Sequence, residues 1–512
     1  MEAWMPCIMG IDSGLTVTKA VIFDADGTVL AIARRRVPQL IPAPQHVERD
    51  MDGLWTATAD AIREAIAASG RPASDIVAIA ATAHGDGIYL LDEDKRPLGP
   101  AIVSLDTRAG AIADAWNEGE VGARALELTG QRPHASAPSA ILRWIFEHQP
   151  ERYARIAHFI AAKDWLRFCL CGTIGTDRTE ASTSFTDVTT QDYAEDAFRL
   201  FGLDRLAGRQ PPMAASTEVV GGVTAEIARL TGLVEGTPVM AGLHDVTASA
   251  LGMGGYGEGV VAVIAGTYSI NETVSPAPKV DGRWFCRNGI LPGEWNNMSI
   301  SPASTANYDW FIEQFCAADA RQAEATGESI HAILGREFEA ARERPSSTFF
   351  HPYLFGSPFG GASSAGFYGL NAWHDRGDLV RAVLEGIAFN HRVHVDALRD
   401  GFAPTAARLT GGVSRNPAMA GLFADILGMP VTATRTEEAA AWGAALCAGA
   451  GAGLYASPTD DPRDLASIET TYQPDPDRQR AYDEKYRVFL DLAEAMKPLW
   501  PTLRRLGGAA QV

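Results

Sequence analysis

Asp245 stands in Pro238–Gly252, where a short apolar run leads to Gly242, a His-Asp pair follows, and small residues able to form a helix come next. The pattern reads as strand, sharp turn and helix start. A carboxylate at a helix N-terminus meets unbonded N–H groups, so a cap alone would account for it. Three Gly/Thr-rich turns, at residues 12–19, 266–271 and 410–416, lie on both sides of it and point beyond a cap. The first carries Asp12, Gly14, Thr16 and Thr18 at a hairpin tip. Such a tip offers N–H groups and hydroxyls to phosphate, and a carboxylate to Mg²⁺ through water; a plain hairpin would look the same. Gly266 and Thr267 follow the strand Gly259–Ile264 in a second hairpin of this design, an internal echo that suggests two related domains. Gly411-Gly412, after the strand Ala407–Thr410, lets backbone approach a ligand closely. His84 and Asp86 follow the strand Ile76–Ala83, and Asp106 and Arg108 follow Ala101–Leu105. Residues just beyond strand ends bind ligands in α/β proteins, although surface turns occur there too.

The elements that must position these residues alternate between strand and helix. Asp50 is placed to cap a helix whose apolar residues Leu54, Ala61, Ile62, Ala65 and Ile66 have helical spacing, ending at Gly70. Residues 138–188 read as mainly helical, and Asp378–Arg399 as one long helix. Pro417 opens a helix that ends near Gly428; the strand Val431–Thr434 and an Ala/Gly-rich helix from about Glu437 to Ala450 follow. Gly252–Gly257 matches GxGxxG, but it follows a helix and precedes a strand, the reverse of a dinucleotide site, and reads better as an inter-domain link. No GxxxxGK[ST] loop occurs. His391 and His394 share a helix face without a third ligand in view and read as surface or core histidines.

At 512 residues the chain is too long for one ordinary core. Its formal charge of -19, from 63 acidic against 44 basic residues, argues against nucleic acid or an anionic membrane as partner. The six cysteines do not read as a disulfide framework, and the one close pair, Cys169 and Cys171, reads as core thiols. With no signal-like N-terminus and no long apolar run, a cytoplasmic protein is expected.

Taken together, these features resemble the FGGY family of carbohydrate kinases, within the actin/hexokinase/Hsp70 ATPase superfamily. One family signature is met by Ala365–Leu370 followed, after seven residues, by Asp378–Glu385; the other by Ser136–His148, with Ile141 where Lys is usual. The resemblance spans essentially the whole chain. It implies an α/β fold of two ribonuclease-H-like (actin-like ATPase) domains, 1–254 and 255–512, with ATP, Mg²⁺ and a sugar or polyol in the inter-domain cleft. Asp245 matches the catalytic base. Asp12, Gly14, Thr16 and Lys19 match the first phosphate motif, Gly266 and Thr267 the second, and Gly411, Gly412 and Asn416 the adenosine motif. His84, Gly85 and Asp86 fall where sugar-binding residues lie, and Asp12 and Asp245 would hold Mg²⁺ through water. Ser104, where many members have Trp, and Tyr268 after Gly-Thr are departures. Glu48–Trp55, Leu142–Tyr153 and that aromatic look most like the L-xylulose (3-keto-L-gulonate) kinase branch; Gly85–Gly87 and Lys163–Trp165 also look like erythritol kinases. An L-xylulose-like ketose is therefore the favoured acceptor, with erythritol or another polyol as the alternative. A sugar-free actin-like ATPase would explain the hairpins but not the polar turn at 84–86, and an inactive sugar-binding relative would not need Asp245. The oligomeric state stays open, a homodimer being one option.

Overall fold

The computed structural model describes residues 5–436 and 438–506; Glu437 and the outer ends of both expected domain spans lie outside the described residues. The first sheet begins with an antiparallel meander, β1 (Cys7–Ser13), β2 (Val17–Asp24) and β3 (Val29–Arg36). β4 (Ile76–Ala83) lies parallel to β1, and β5 (Val219–Gly222) and β6 (Pro238–Met240) complete the order β5-β6-β4-β1-β2-β3. The second sheet contains β7 (Val260–Ala265), β8 (Ser269–Ser275), β9 (Phe285–Asn288), β10 (Trp295–Ser301), β11 (Ala406–Gly411), β12 (Val431–Thr434) and β13 (Glu469–Tyr472). Its order is β9-β10-β8-β7-β11-β12-β13. Each sheet is wound alike: a hairpin, a later strand parallel to the hairpin's first, another parallel strand, and an antiparallel edge. The echo between the two glycine-bearing hairpins is thus a repeat of topology.

β4 is apolar along its length because both its faces are covered. One face meets the helix Ala162–Cys171, and α1 (Met51–Ser69), which Asp50 caps and left-handed Gly70 (φ 67°) ends, as its spacing predicts, packs beside it on β2 and β3. α2 (Asp245–Gly252) follows the two-residue strand Leu243–His244, which pairs with Thr82–Ala83 of β4. α3 (Arg376–Phe402) runs beneath the second sheet, opened by a capping box between Asp375 and Asp378. α4 (Pro417–Leu427) and α5 (Ala439–Gly451) follow β11 and β12.

α5 does not stay with its own sheet. Ala441, Trp442, Ala445 and Leu446 join Ile8, Val21, Phe23 and Ala78 in one core against the first sheet. Conversely, Ala250 of α2 packs on Ala262 of β7. A division at 254/255 therefore separates the sheets but not the helices, because α5 crosses back to cover the apolar face that β1 and β4 leave open.

The region 138–188 is mainly helical, as expected, but in four pieces: Pro138–His148, Pro150–Ala154, Ala162–Cys171 and Arg178–Ala181, interrupted by the strands His158–Ile160 and Thr176–Asp177. Gly172, at φ 72°, stops the third of these helices. Residues at and just beyond both ends of this region dock on the edge of the second sheet. The Cys286 N–H donates to Gly130 O (2.9 Å), the Asn288 amide to Gln191 O (3.0 Å), and the Trp295 indole to Val188 O (2.6 Å). Among the described residues all six cysteines are free, Cys169 and Cys171 only half-buried. No described helix is long and apolar enough to cross a membrane.

Candidate active site

A cleft of about 710 Å³ opens between the sheets, lined among others by Asp12, Lys19, Ser249, Gly411, Gly412 and Glu438. The first hairpin turns at Gly14–Thr16, where Arg49 holds the carbonyls of Gly14 (3.2 Å) and Leu15 from behind and Thr16 is left exposed. The second turns at Gly266–Tyr268, with Gly266 O fixed by the Thr305 N–H and hydroxyl (3.0 and 2.7 Å) and Thr267 exposed. At Gly411 the backbone has φ 98°, and a Cβ would lie 2.2 Å from Ala265 O, so only glycine lets β11 end this close to β7. Gly412 beside it has open space.

Asp245 is the first residue of α2, one turn before Ser249 of the cleft lining. Its Oδ1 accepts the Val246 N–H at 2.8 Å. Burial, reinforced by the Asp12 carboxylate, raises its pKa to about 7; the N–H groups of Val246 and Gly85 pull the other way. Asp12 is raised as well, by burial that Lys19 only partly offsets. Lys19 Nζ bridges Asp12 (3.1 Å) and Glu438 (2.9 Å), and Arg34 pairs with the same glutamate. Two carboxylates that oppose each other's ionisation, with one lysine between them and a third acid, suit a hard divalent cation with oxygen ligands and water. Among the described residues no cluster of three or more His, Cys, Asp or Glu is placed to hold a metal ion.

Asp86 lies beside this group at φ 54°, in the left-handed region. Its Oδ1 accepts from Arg287 Nη2 at 3.1 Å, with His134 Nε2 3.7 Å away. Burial works to raise its pKa, but Arg287, His134 and His244 outweigh it and hold the group lowered. Gly85 has no room for a side chain: a Cβ would sit 1.8 Å from His244 Nε2.

Other residues nominated from sequence are placed differently. His84 is buried, with Nε2 3.3 Å from the Tyr89 hydroxyl and a pKa pushed down to about 3 by burial and Arg49. Asp106 and Arg108 face each other in the interior, the guanidinium bonded to Asp106 (2.7 Å) and Glu48 (2.8 Å), while Asp106 also accepts the Val47 N–H. These bonds order the turn, while Arg108 Nη1 keeps no partner among the described residues and Arg108 lines, with Trp116 and Trp144, a cleft of about 600 Å³. Asn416 caps α4 through the Ala418 N–H, 2.9 Å away. His391 and His394 are buried and bonded to Ser304, Asn271, Ser299 and Ser301.

Four polar groups near the site were not foreseen. Arg287 lies about 200 residues from Asp86, a separation no local pattern can bridge. Glu438 and Gln131 likewise owe their places to chain crossings. Glu272, on β8, is buried beside Asn296, and burial raises it to about 8. In its case the signal was present, an acid within a strand that is otherwise buried.

Residues 7–252 match the family model described as the FGGY family of carbohydrate kinases, N-terminal domain, and residues 261–452 the C-terminal domain of the same family. Over 498 residues the chain is 32% identical to the L-xylulose/3-keto-L-gulonate kinase of Escherichia coli (strain K12), covering 96% of this chain and 97% of that one. It is 29% identical over 512 residues to the erythritol kinase of Brucella abortus (strain 2308), covering 97% of each. The crystal structure of xylulose kinase from Rhodospirillum rubrum superposes with a TM-score of 0.84 at 29% identity, over 96% of this chain and 99% of that chain.

Proposed function

The chain belongs to the FGGY family of carbohydrate kinases, and we propose that it transfers the γ-phosphoryl group of ATP to a terminal hydroxyl of a small neutral ketose or polyol, with Asp245 as general base. The observation that carries this reading is Asp245 itself, a carboxylate of raised pKa at a helix start that faces Asp12 of the first hairpin. A sugar hydroxyl is a poor nucleophile. As its oxygen bonds to the γ-phosphorus, Asp245 takes its proton and the bond to the ADP oxygen breaks; such a base contributes about 10²–10⁴-fold. The hairpin N–H groups with Thr16 and Thr267 hold the phosphates from both sheets, and Gly411-Gly412 leaves room for the adenosine. Asp12 and Asp245 would hold Mg²⁺ through water, and the bound ion would neutralise charge on the phosphate oxygens.

A neutral acceptor is favoured because Arg287, the cation beside Asp86, already donates to Asp86 and Gln131. An L-xylulose-like ketose is favoured over erythritol by the similarities given above. The test is ADP release by the purified protein with L-xylulose, 3-keto-L-gulonate, erythritol and no acceptor. Turnover that depends on L-xylulose supports the reading. Equal turnover without acceptor overturns it in favour of a sugar-free ATPase, and a marked preference for 3-keto-L-gulonate overturns the neutral-substrate assignment.

A further inference from the structure

A second cavity, of about 40 Å³, adjoins Asp86, with Asp86, Asp164, Thr176, Glu180, Thr183 and Tyr193 as its polar lining. The rest of its wall is apolar, and no described Lys, Arg or His lines it. A water needs about 10–15 Å³ of such space, so the cavity suits about three water-sized groups, the bulk of a terminal hydroxymethyl and not of a whole sugar. Its acids are not equally engaged. Asp164 accepts from Lys163 Nζ (2.6 Å) and from the Ala161 N–H (3.1 Å), and Thr183 Oγ1 donates to Glu180 O (2.9 Å). Glu180 itself is only 5% exposed, and its Oε1 is buried with no hydrogen-bond partner among the described residues. Burial, reinforced by Asp164, Asp177 and Asp86, holds its pKa well above the usual carboxylate range against the pull of Lys163. A protonated carboxyl can donate as well as accept, and a buried one left unpaired is costly.

The backbone around Glu180 is tied to the turn that carries Asp245. Asp177 caps the helix Arg178–Ala181 through the Thr179 N–H (2.9 Å), and the Ser216 hydroxyl donates to the same carboxylate (2.9 Å). The Thr179 hydroxyl also donates to Asp177 (2.8 Å) and accepts the His244 N–H (2.9 Å). Asp86 is shared, since it lines the cavity and lies near enough to Asp245 to act on its charge. We propose that this cavity and Glu180 form the subsite for the acceptor's far end: the terminal hydroxymethyl group opposite the phosphorylated hydroxyl enters it, and its hydroxyl bonds to the Glu180 carboxyl. This assignment rests on the proposed kinase activity and narrows its acceptor. Asp86, Asp164 and Glu180, with no cation on the wall, suit a neutral hydroxyl and repel a carboxylate at that end. An acceptor that ends in a methyl group there would leave Glu180 unpaired.

The test is isothermal titration calorimetry on wild type, Glu180→Leu and Glu180→Asp. The ligands are L-xylulose, or whichever acceptor the wild type turns over best, and its two terminally deoxygenated analogues. One analogue keeps the far hydroxyl and the other lacks it. Both variants should bind the acceptor and the first analogue about tenfold more weakly than wild type, the scale of one buried hydrogen bond. They should bind the second within a few-fold of wild type, because the group that Glu180 meets is already gone. KM for ATP should not change. Equal losses for both analogues, the result if the cavity serves only structural water, overturn the proposal, as does acceptor binding within a few-fold of wild type in both variants. If Glu180→Leu does not fold, Glu180→Asp, which withdraws the carboxyl by one carbon, decides by the same comparison. Wild-type protein that turns over no ketose or polyol overturns the kinase reading, and this subsite with it; normal wild-type turnover without the selective loss overturns the subsite alone.

Discussion

Asp86 keeps an aspartate in left-handed backbone geometry, which its ion pair with Arg287 helps to hold. A sugar hydroxyl needs such a fixed acceptor, and an unpaired buried hydroxyl is costly. Asp86→Ala should raise KM for the sugar by about tenfold or more and leave KM for ATP nearly unchanged, measured by steady-state kinetics. Selective weakening of ATP would move the sugar pocket elsewhere. Glu272 makes a second prediction. Its Oε2 accepts from Asn296 (2.5 Å), Oε1 has no partner, and burial, aided by Asp245, raises its pKa from 4.5 to about 8. Between those two values the unfolded chain has released this proton and the folded chain has kept it, so the group's contribution to stability falls as pH rises through the window and levels off above about 8. Glu272→Gln stays neutral at every pH. It should match the wild type near pH 4.5 and become progressively more stable than it up to pH 8, as read by urea denaturation along the pH series. A constant difference across the window would mean that Glu272 is ionised in the fold.

α2 and α5 meet almost without side chains. A Cβ on Gly443 would lie 2.0 Å from Ala248 O, and one on Gly252 1.9 Å from Ala439 O. Gly10 of β1 stands in the same relation to Ala441 O, at 2.0 Å. Gly443→Ala must therefore push helix from helix and should destabilise by about 1–3 kcal/mol, the usual cost of overpacking. Gly257→Ala, with open space around it, should be nearly neutral in the same thermal denaturation, and equal effects would refute the packing argument. This contact also marks where the sequence stopped being readable. β4, α1, β12 and α4 lie where their patterns put them, because caps, periodicity and bounding glycines are local signals. The long helix α3 runs a few residues past both expected ends, since its capping box at Asp375 and Asp378 starts it earlier. The strand expected over Ala101–Leu105 shrinks to Ala101–Ile102, because Asp106 and Arg108 turn inward and bond to each other. That α5 belongs to the first sheet could not be read, for its small apolar residues suit either sheet. Arg287 and Glu438 were hidden for the same reason: each enters the site from a segment remote in sequence.

On the proposed function each sheet carries one hairpin that would hold phosphate, so neither alone could surround a nucleotide, and closure of the cleft would complete the site. Three connections limit that motion. The β9–β10 edge is bonded to Gly130, Val188 and Gln191, which keeps the sugar side together. Lys19 and Arg34 reach Glu438 at the start of α5. The third is the α2–α5 contact, whose glycine-lined backbones can slide without side chains changing rotamer, as in shear motions. The freedom left is an approach of the hairpin tips at Gly14–Thr16 and Gly266–Thr267, pivoting on those helices. On the proposed function ATP would contact both tips and the acceptor would fill the Asp86 side, so each ligand should favour the closed arrangement and the two together more than either alone. Solution scattering without ligand, with a non-hydrolysable ATP analogue and Mg²⁺, with sugar, and with both should show the smallest radius of gyration for the ternary state. Gly443→Ala, which wedges the pivot, should reduce that contraction while leaving KM for sugar within a few-fold. An unchanged radius of gyration across all four conditions would mean that the cleft is already closed before the ligands arrive.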